Sequence, residues 1–214
     1  MLSVTAPFKA GFPTVADYTD VPAGDLALNN AADLYLFPNS LYVVKVDGAG
    51  LKAWLETAAG RFNTIDPAKL EAQELVNSRF PSFNFDTITS PDVSYEIDVT
   101  RAPGGRIRKL SYQGKPVEAK QEFLVATNNY RASGGGGFPG LDGSNVVLAS
   151  PDNNRDILID YIRNAKQLGR TSQGAARSWR FATAKTAGPV VFHSAPELVG
   201  LAREAGIDNV SQLM

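Results

Sequence analysis

Phe123-Leu124-Val125-Ala126-Thr127-Asn128-Asn129-Tyr130-Arg131-Ala132-Ser133-Gly134-Gly135-Gly136-Gly137-Phe138-Pro139-Gly140 runs from a short apolar segment through a polar turn into four consecutive glycines. The apolar segment fits a buried strand. The turn sets Tyr130 at the lip of that rigid element, beside backbone that carries no side chains. A flat ligand has room to stack there.

Strands and helices extend outward from this stretch in both directions. Leu41 to Val46 is β-branched and nearly continuous in apolar character, a strand that Asp47-Gly48 turns. Leu51, Trp54, Leu55 and Ala58 fall at helical spacing and predict an amphipathic helix from Gly50 to Gly60. Val93 to Val99 alternates apolar and polar residues as a half-buried strand does. Pro103-Gly104-Gly105 turns it into a strand from Ile107 to Tyr112, and Gln113-Gly114-Lys115-Pro116 is a further turn. Phe83 and Phe85 share a face if Ser82 to Phe85 is extended. A short helix capped by Asn29 is predicted through Leu34, stopped by Pro38, and a second opens at Asp66-Pro67 and runs to about Val76.

Val146 to Leu148 is a short strand. Ser150-Pro151 then has the form of a helix start, with Ile157, Leu158, Tyr161, Ile162, Ala165 and Leu168 as the buried stripe. Gly169 to Arg180 is polar and basic, a loop. Phe181 begins a strand, Val190 to Phe192 forms another, and Ser194 with Glu197 has capping-box spacing for a last helix. Hairpins mixed with long helices predict an α+β fold, helices packed on a mixed, largely antiparallel sheet. The 214 residues suit one domain, 1–214. Leu2-Ser3-Val4 reads as an interior strand, so the chain is expected to be a piece of something longer.

Composition excludes several function classes. The formal net charge is −1, without the basic excess of a nucleic-acid binder. No stretch approaches the ~20 apolar residues of a membrane span. Cysteine is missing, which removes disulfides, thiolate catalysis and cysteine-built zinc sites. One histidine, His193, is too few for most hydrolytic metal centres; on its strand before Ser194 it reads as structural. Asp152, Asp156 and Asp160 repeat at helical spacing and form one solvated face. The glycine run is not a phosphate loop by its context. Phe138-Pro139-Gly140 follows where a helix should start, and no Gly-Lys-Ser/Thr is present. Tyr130, flanked by polar residues and glycines, reads as an exposed platform for a nucleobase, since every base offers a π-face.

Ala126-Thr127-Asn128-Asn129-Tyr130-Arg131-Ala132 with its glycines closely resembles the C-terminal domain of bacterial 2′,3′-cyclic-nucleotide 2′-phosphodiesterase/3′-nucleotidases, of the 5′-nucleotidase family. Ala6 to Gly11, Ala32 to Asn39, Phe83-Asn84-Phe85-Asp86, Tyr95 to Thr100 and Ser150-Pro151-Asp152 agree, in order, across nearly the whole chain. The resemblance implies a nucleoside-recognition domain, periplasmic or secreted, of a two-domain hydrolase acting on 2′,3′-cyclic nucleotides and 3′-nucleotides. It implies a partner, an N-terminal metallophosphoesterase domain with two divalent metals. No cofactor is expected in this chain, and the chain alone is expected to be inactive.

By motif, the family's aromatic pair around the base falls on Phe83 and Tyr130. Asn84, Arg131 and the backbone of Gly134, Gly135 and Gly136 are expected on the ribose side. Lys9 stands where 5′-nucleotidases carry a substrate-contacting arginine. Gly136 stands where they carry a ribose-holding aspartate, which favours the cyclic-phosphodiesterase branch. The alternatives are a 5′-nucleotidase/UDP-sugar hydrolase specificity domain or a non-catalytic nucleoside-binding module.

Overall fold

The computed structural model describes residues 1–11, 13–14, 17–19, 21–169 and 176–210. In chain order the elements are β1 (Leu2–Thr5), α1 (Leu28–Leu34), β2 (Ser40–Asp47), α2 (Gly48–Ala58), β3 (Gln73–Glu74), β4 (Thr87–Ile88), β5 (Val93–Ile97), β6 (Ile107–Tyr112), β7 (Lys115–Pro116), β8 (Glu122–Asn128), α3 (Asn129–Ala132), β9 (Val146–Asn153), α4 (Asn154–Ala165), β10 (Trp179–Phe181), β11 (Val190–Val191) and α5 (Val199–Glu204).

The strand predicted at Phe123 is β8, central in a five-stranded sheet of order β4-β1-β8-β2-β9. β8 pairs antiparallel with β2 from Leu41↔Asn128 to Asp47↔Glu122, and parallel with β1 through Leu2↔Val125. A second sheet has the order β10-β5-β6-β7, and β3 pairs with β11 in a third. The single sheet expected from sequence is thus three. The mixed, α+β character holds.

One core joins the two larger sheets. It contains Val44 and Val125 of the first, Tyr95, Ile97 and Ile107 of the second, and Leu51, Trp54, Leu55 and Ala58 of α2. The periodic stripe read from sequence is the buried face of α2. The helix begins two residues early because the Asp47 carboxylate accepts the Gly50 N–H at 2.7 Å and caps it. The Tyr112-to-Lys115 hairpin turns on Gln113 and Gly114, both at positive φ, the geometry of a two-residue type I′ loop.

Three local expectations on helix starts are corrected. Helix α1 starts at Leu28, and Asn30 rather than Asn29 supplies the side chain that accepts the Ala27 N–H, at 2.8 Å. No helix follows Asp66-Pro67; the Gln73 amide bonds both backbone groups of Asp66 at 2.8 Å and closes a loop into β3. Ser150-Pro151 lies inside β9, and Asn153 caps α4 instead, accepting the Arg155 N–H at 2.9 Å. Sheet pairing with β2 outweighs the local cap signal, and a proline is tolerated because β9 is an edge strand.

Helix α4 buries none of its residues, so the predicted stripe does not face the core. The helix is held by polar bonds, Arg155 to the carbonyls of Tyr35 and Leu36 and Asn154 to the Tyr35 hydroxyl. Asp152 sits on β9, so only Asp156 and Asp160 share the helix. The last helix is entered through a 3₁₀ turn, Pro196–Leu198, with no side-chain cap. Part of the loop predicted from Gly169 to Arg180 lies outside the described residues; Phe181 ends β10 rather than beginning a strand.

Glu96 lies in β5 and Asp98 just past its end, both with mostly covered side chains. Lys109, then Arg180, bond the Glu96 carboxylate at 3.1 and 2.6 Å and hold its pKa below the glutamate value of 4.5. The Thr100 hydroxyl, at 2.6 Å, does the same for Asp98 against an ordinary 3.8, assisted by Arg101. Carboxyls depressed in the folded state stabilise it above their unfolded pKa values, and that contribution is lost as pH falls through the folded ones. Urea midpoints should therefore fall as pH drops below about 4, and the Glu96→Gln/Asp98→Asn variant should show a flatter decline. An identical slope in wild type and variant would refute this assignment.

Candidate functional site

The polar turn after β8 is one helical turn, α3. Asn128 caps it by accepting the Arg131 N–H at 2.8 Å, and the Asn129 side chain accepts the Ser40 N–H at 3.0 Å, fixing the turn to β2. Tyr130 is 49% exposed, as its flanks predict. Its ring lies on Gly135, where a Cβ would come within 2.5 Å of Cδ1 and Cε1. Backbone thus beds the ring.

The glycine loop closes on itself. The N–H groups of Gly134, Gly135 and Gly137 donate to Arg131, Tyr130 and Gly134 carbonyls at 3.2, 2.8 and 3.1 Å. Those donors are spent inside the turn, in keeping with the sequence argument against a phosphate cradle.

Phe83 stands on a 3₁₀ turn, Ser82–Asn84, anchored by the buried Ser82 hydroxyl donating to the Phe8 carbonyl at 2.9 Å. Because this segment is not extended, the two phenylalanines diverge. Phe85 packs edge-on against Phe62 and Trp179 in the core, with ring centroids 5.2 and 5.4 Å away. Phe83 meets the edge of the half-exposed Phe37 at 6.1 Å, and Phe37 in turn meets Phe8 at 5.4 Å.

Arg131 is placed differently from its neighbour. It is 3% exposed. Its Nε lies 2.8 Å from Asp86 Oδ2, and Nη2 donates to the Phe83 carbonyl (3.0 Å), Asn84 Oδ1 (3.1 Å) and Asp86 Oδ1 (3.2 Å). Nη1 donates to the Gly135 carbonyl, and the guanidinium stacks 4.0 Å over the Phe138 ring. Asp86, also buried, accepts the Trp54 indole N–H at 2.6 Å. Burial pushes the Asp86 carboxyl pKa up, while Arg131 and the Trp54 bond draw it down. Phe83, Asn84, Tyr130, Arg131 and the glycine loop are therefore joined by direct bonds. Arg131 and Asn84 face each other rather than standing free.

Lys9 follows Phe8 and pairs with Asp33, Nζ to Oδ1 at 3.0 Å. His193 bonds Glu74, Nε2 to Oε2 at 2.9 Å, bringing β11 to β3. Among the described residues no group of three or more His, Cys, Asp or Glu side chains could hold a metal ion. Among them, too, no helix is long and apolar enough to cross a membrane.

Sequence reasoning gave Asp86, Trp54 and Phe37 no part in the site. The signal for the first two was present: a tryptophan in a buried helical stripe needs an acceptor for its N–H. Phe37 carried no comparable signal.

Comparison with known proteins adds to this geometry. Residues 6–143 match the model of the 5′-nucleotidase, C-terminal domain. The chain is 46% identical over 199 residues to a 2′,3′-cyclic-nucleotide 2′-phosphodiesterase/3′-nucleotidase of Haemophilus influenzae, covering 85% of this chain and 30% of that protein. It is 50% identical over 181 residues to the trifunctional nucleotide phosphoesterase protein YfkN of Bacillus subtilis, covering 78% of this chain and 12% of that protein. A solved 5′-nucleotidase structure from Staphylococcus aureus, in complex with alpha-ketoglutarate, superposes with a TM-score of 0.63 at 25% identity, over 90% of this chain and 33% of that one. The chain spans a third or less of the length of these relatives.

Proposed function

This chain belongs to the 5′-nucleotidase C-terminal domain family, and on that premise we propose that it is the nucleoside-recognition domain of a metal-dependent hydrolase of 2′,3′-cyclic nucleotides and 3′-nucleotides. Phe83 and Tyr130 hold the base. Lys9, Asn84, Arg131 and the backbone of Gly134, Gly135 and Gly136 form its surroundings. The observation that carries the reading is the exposed Tyr130 ring, bedded on Gly135 on a turn bonded directly to the turn of Phe83.

Position 136 supports the cyclic-nucleotide branch over the 5′-nucleotidase/UDP-sugar alternative. A Cβ there would lie 2.1 Å from Arg131 Nη1 and 2.8 Å from Asn84 Oδ1, so an aspartate has no room. Two divalent metals, held elsewhere in such a hydrolase, would supply an activated water and offset charge on the phosphoryl group. Among this chain's described residues no group of three or more His, Cys, Asp or Glu side chains could hold them; the part proposed for the chain is to bind and orient the nucleoside. A metallophosphoesterase domain elsewhere in the protein would hold the metals, in a periplasmic or secreted enzyme.

Stacking on two platforms contributes about 2–4 kcal/mol, which corresponds to roughly millimolar affinity or weaker. Titration of the chain with adenosine or adenosine 3′-monophosphate, followed by ¹H–¹⁵N NMR, should show weak saturable shifts around residues 83–84 and 130–136. Phe83→Ala and Tyr130→Ala should each weaken binding by about 5-fold or more. Binding that survives both substitutions together would sink the assignment.

A further inference from the structure

Two platforms on separate elements make a clamp only if the gap between them is fixed before the ligand arrives. Phe83 belongs to the turn that leads into β4, Tyr130 to the turn that leaves β8. Resting on the nucleoside reading above, we propose that Arg131 is the positioning residue that ties the two rims into one preformed unit.

The bonds of one guanidinium describe the tie. Nη2 reaches the Phe83 carbonyl and the Asn84 side chain, Nε and Nη2 grip Asp86, and Nη1 holds the Gly135 carbonyl. Gly135 is the residue on which the Tyr130 ring lies. The path from one platform to the other is therefore Phe83 carbonyl, Arg131, Gly135, Tyr130 ring. Phe138 covers the guanidinium from one side and Asp86 neutralises it within the interior.

Two of the glycines are imprints of this arrangement. Gly135 lacks the Cβ that would displace the Tyr130 ring. Gly136 lacks the one that would strike Arg131 Nη1, and its φ of +83° disfavours a side chain as well. Lysine does not substitute for Arg131. Its ammonium is a point charge that reaches one part of this acceptor set at a time, whereas the planar fork spans all of it.

Arg131→Lys tests the tie in the full 214-residue chain. The variant should unfold cooperatively and bind adenosine about tenfold more weakly. Without ligand, its amide resonances at 83–84 and 130–136 should broaden while those of β2 and α2 stay sharp. An unchanged apo spectrum with wild-type affinity would overturn the proposal. A wild-type chain that binds no nucleoside would refute the base-clamp reading alone, since the apo spectra still report on the tie. Should Arg131→Lys fail to fold, Gly136→Ala at an exposed loop position displaces the guanidinium from the other side. The same local broadening is then expected, and sharp unshifted resonances at 83–84 would count against the tie.

Discussion

Replacing Asp86 with alanine is expected to lower the unfolding free energy by about 3–5 kcal/mol. Asp86 and Arg131 are both almost fully buried, and the carboxylate accepts three bonds, from Arg131 Nε, Arg131 Nη2 and Trp54 Nε1. Alanine leaves a buried guanidinium without its counter-charge and a buried indole N–H without its acceptor. For a chain of this length the loss corresponds to a fall of about 6–20 °C in Tm. Urea denaturation measures it directly. The cause is separable from a simple packing defect. Adding Arg131→Met to Asp86→Ala removes the orphaned cation and should recover part of the loss, giving a strongly non-additive cycle. A single-variant loss below about 1 kcal/mol, or a strictly additive double variant, would show that the pair is not the internal charge couple described.

The same pair marks the boundary of what could be read from the residues. The site's local half was legible. The apolar run at Phe123, the exposed Tyr130 and the glycines that crowd it follow from neighbours within a few positions, and the structure places them accordingly. The long-range half was not. Arg131 stands 45 positions from Asp86, and Asp86 stands 32 from Trp54. A charged residue in a loop is ordinarily solvated, so only the fold shows that this one is interior. Local signals also lost wherever tertiary pairing competed with them. Ser150-Pro151 has good helix-start chemistry, yet the edge of the first sheet takes it as strand. Phe83 and Phe85 alternate as strand residues do, yet a 3₁₀ turn sends one to the core and one to the rim. In α4 the periodicity was real, but none of its apolar residues is fully buried, and Tyr161 is 51% exposed.

A loss of similar size is expected from Arg106→Ala, at a position that no local signal in the chain marks. Arg106 is 2% exposed. Its Nη1 donates to the carbonyls of Ala59 and Phe62 at 2.9 and 2.7 Å, Nη2 to the Thr64 hydroxyl at 2.6 Å, and Nε to the Arg101 carbonyl at 3.1 Å. Ala59 opens and Phe62 follows the 3₁₀ turn that ends α2, where the carbonyls carry the negative end of the helix dipole, and the Ala59 carbonyl also accepts the Phe62 N–H at 3.1 Å. Arg106 is therefore a C-terminal cap delivered from the start of β6, and it fastens α2 to the second sheet. The Glu56 carboxylate completes the joint by accepting the N–H groups of Arg106 and Ile107 at 3.0 and 2.8 Å. Burial pulls the Arg106 pKa down and Glu56 opposes that shift, so the joint gathers the buried cation and its counter-charge in one place. Alanine removes the guanidinium from four acceptors, of which the Ala59 carbonyl keeps a second donor, the Phe62 N–H. At about 1–3 kcal/mol for each that water does not reach, a loss of about 3–5 kcal/mol follows. Arg106→Lys should recover only part of it, because an ammonium cannot span carbonyls and hydroxyl together. Hydrogen exchange gives the distinguishing signature. Amides at 59–62 and 106–107 should open more readily in Arg106→Ala, while those pairing β2 with β8 keep their relative protection. A variant within about 0.5 kcal/mol of wild type, or one whose protection falls evenly across both sheets, would mean that α2 is held by its apolar face alone.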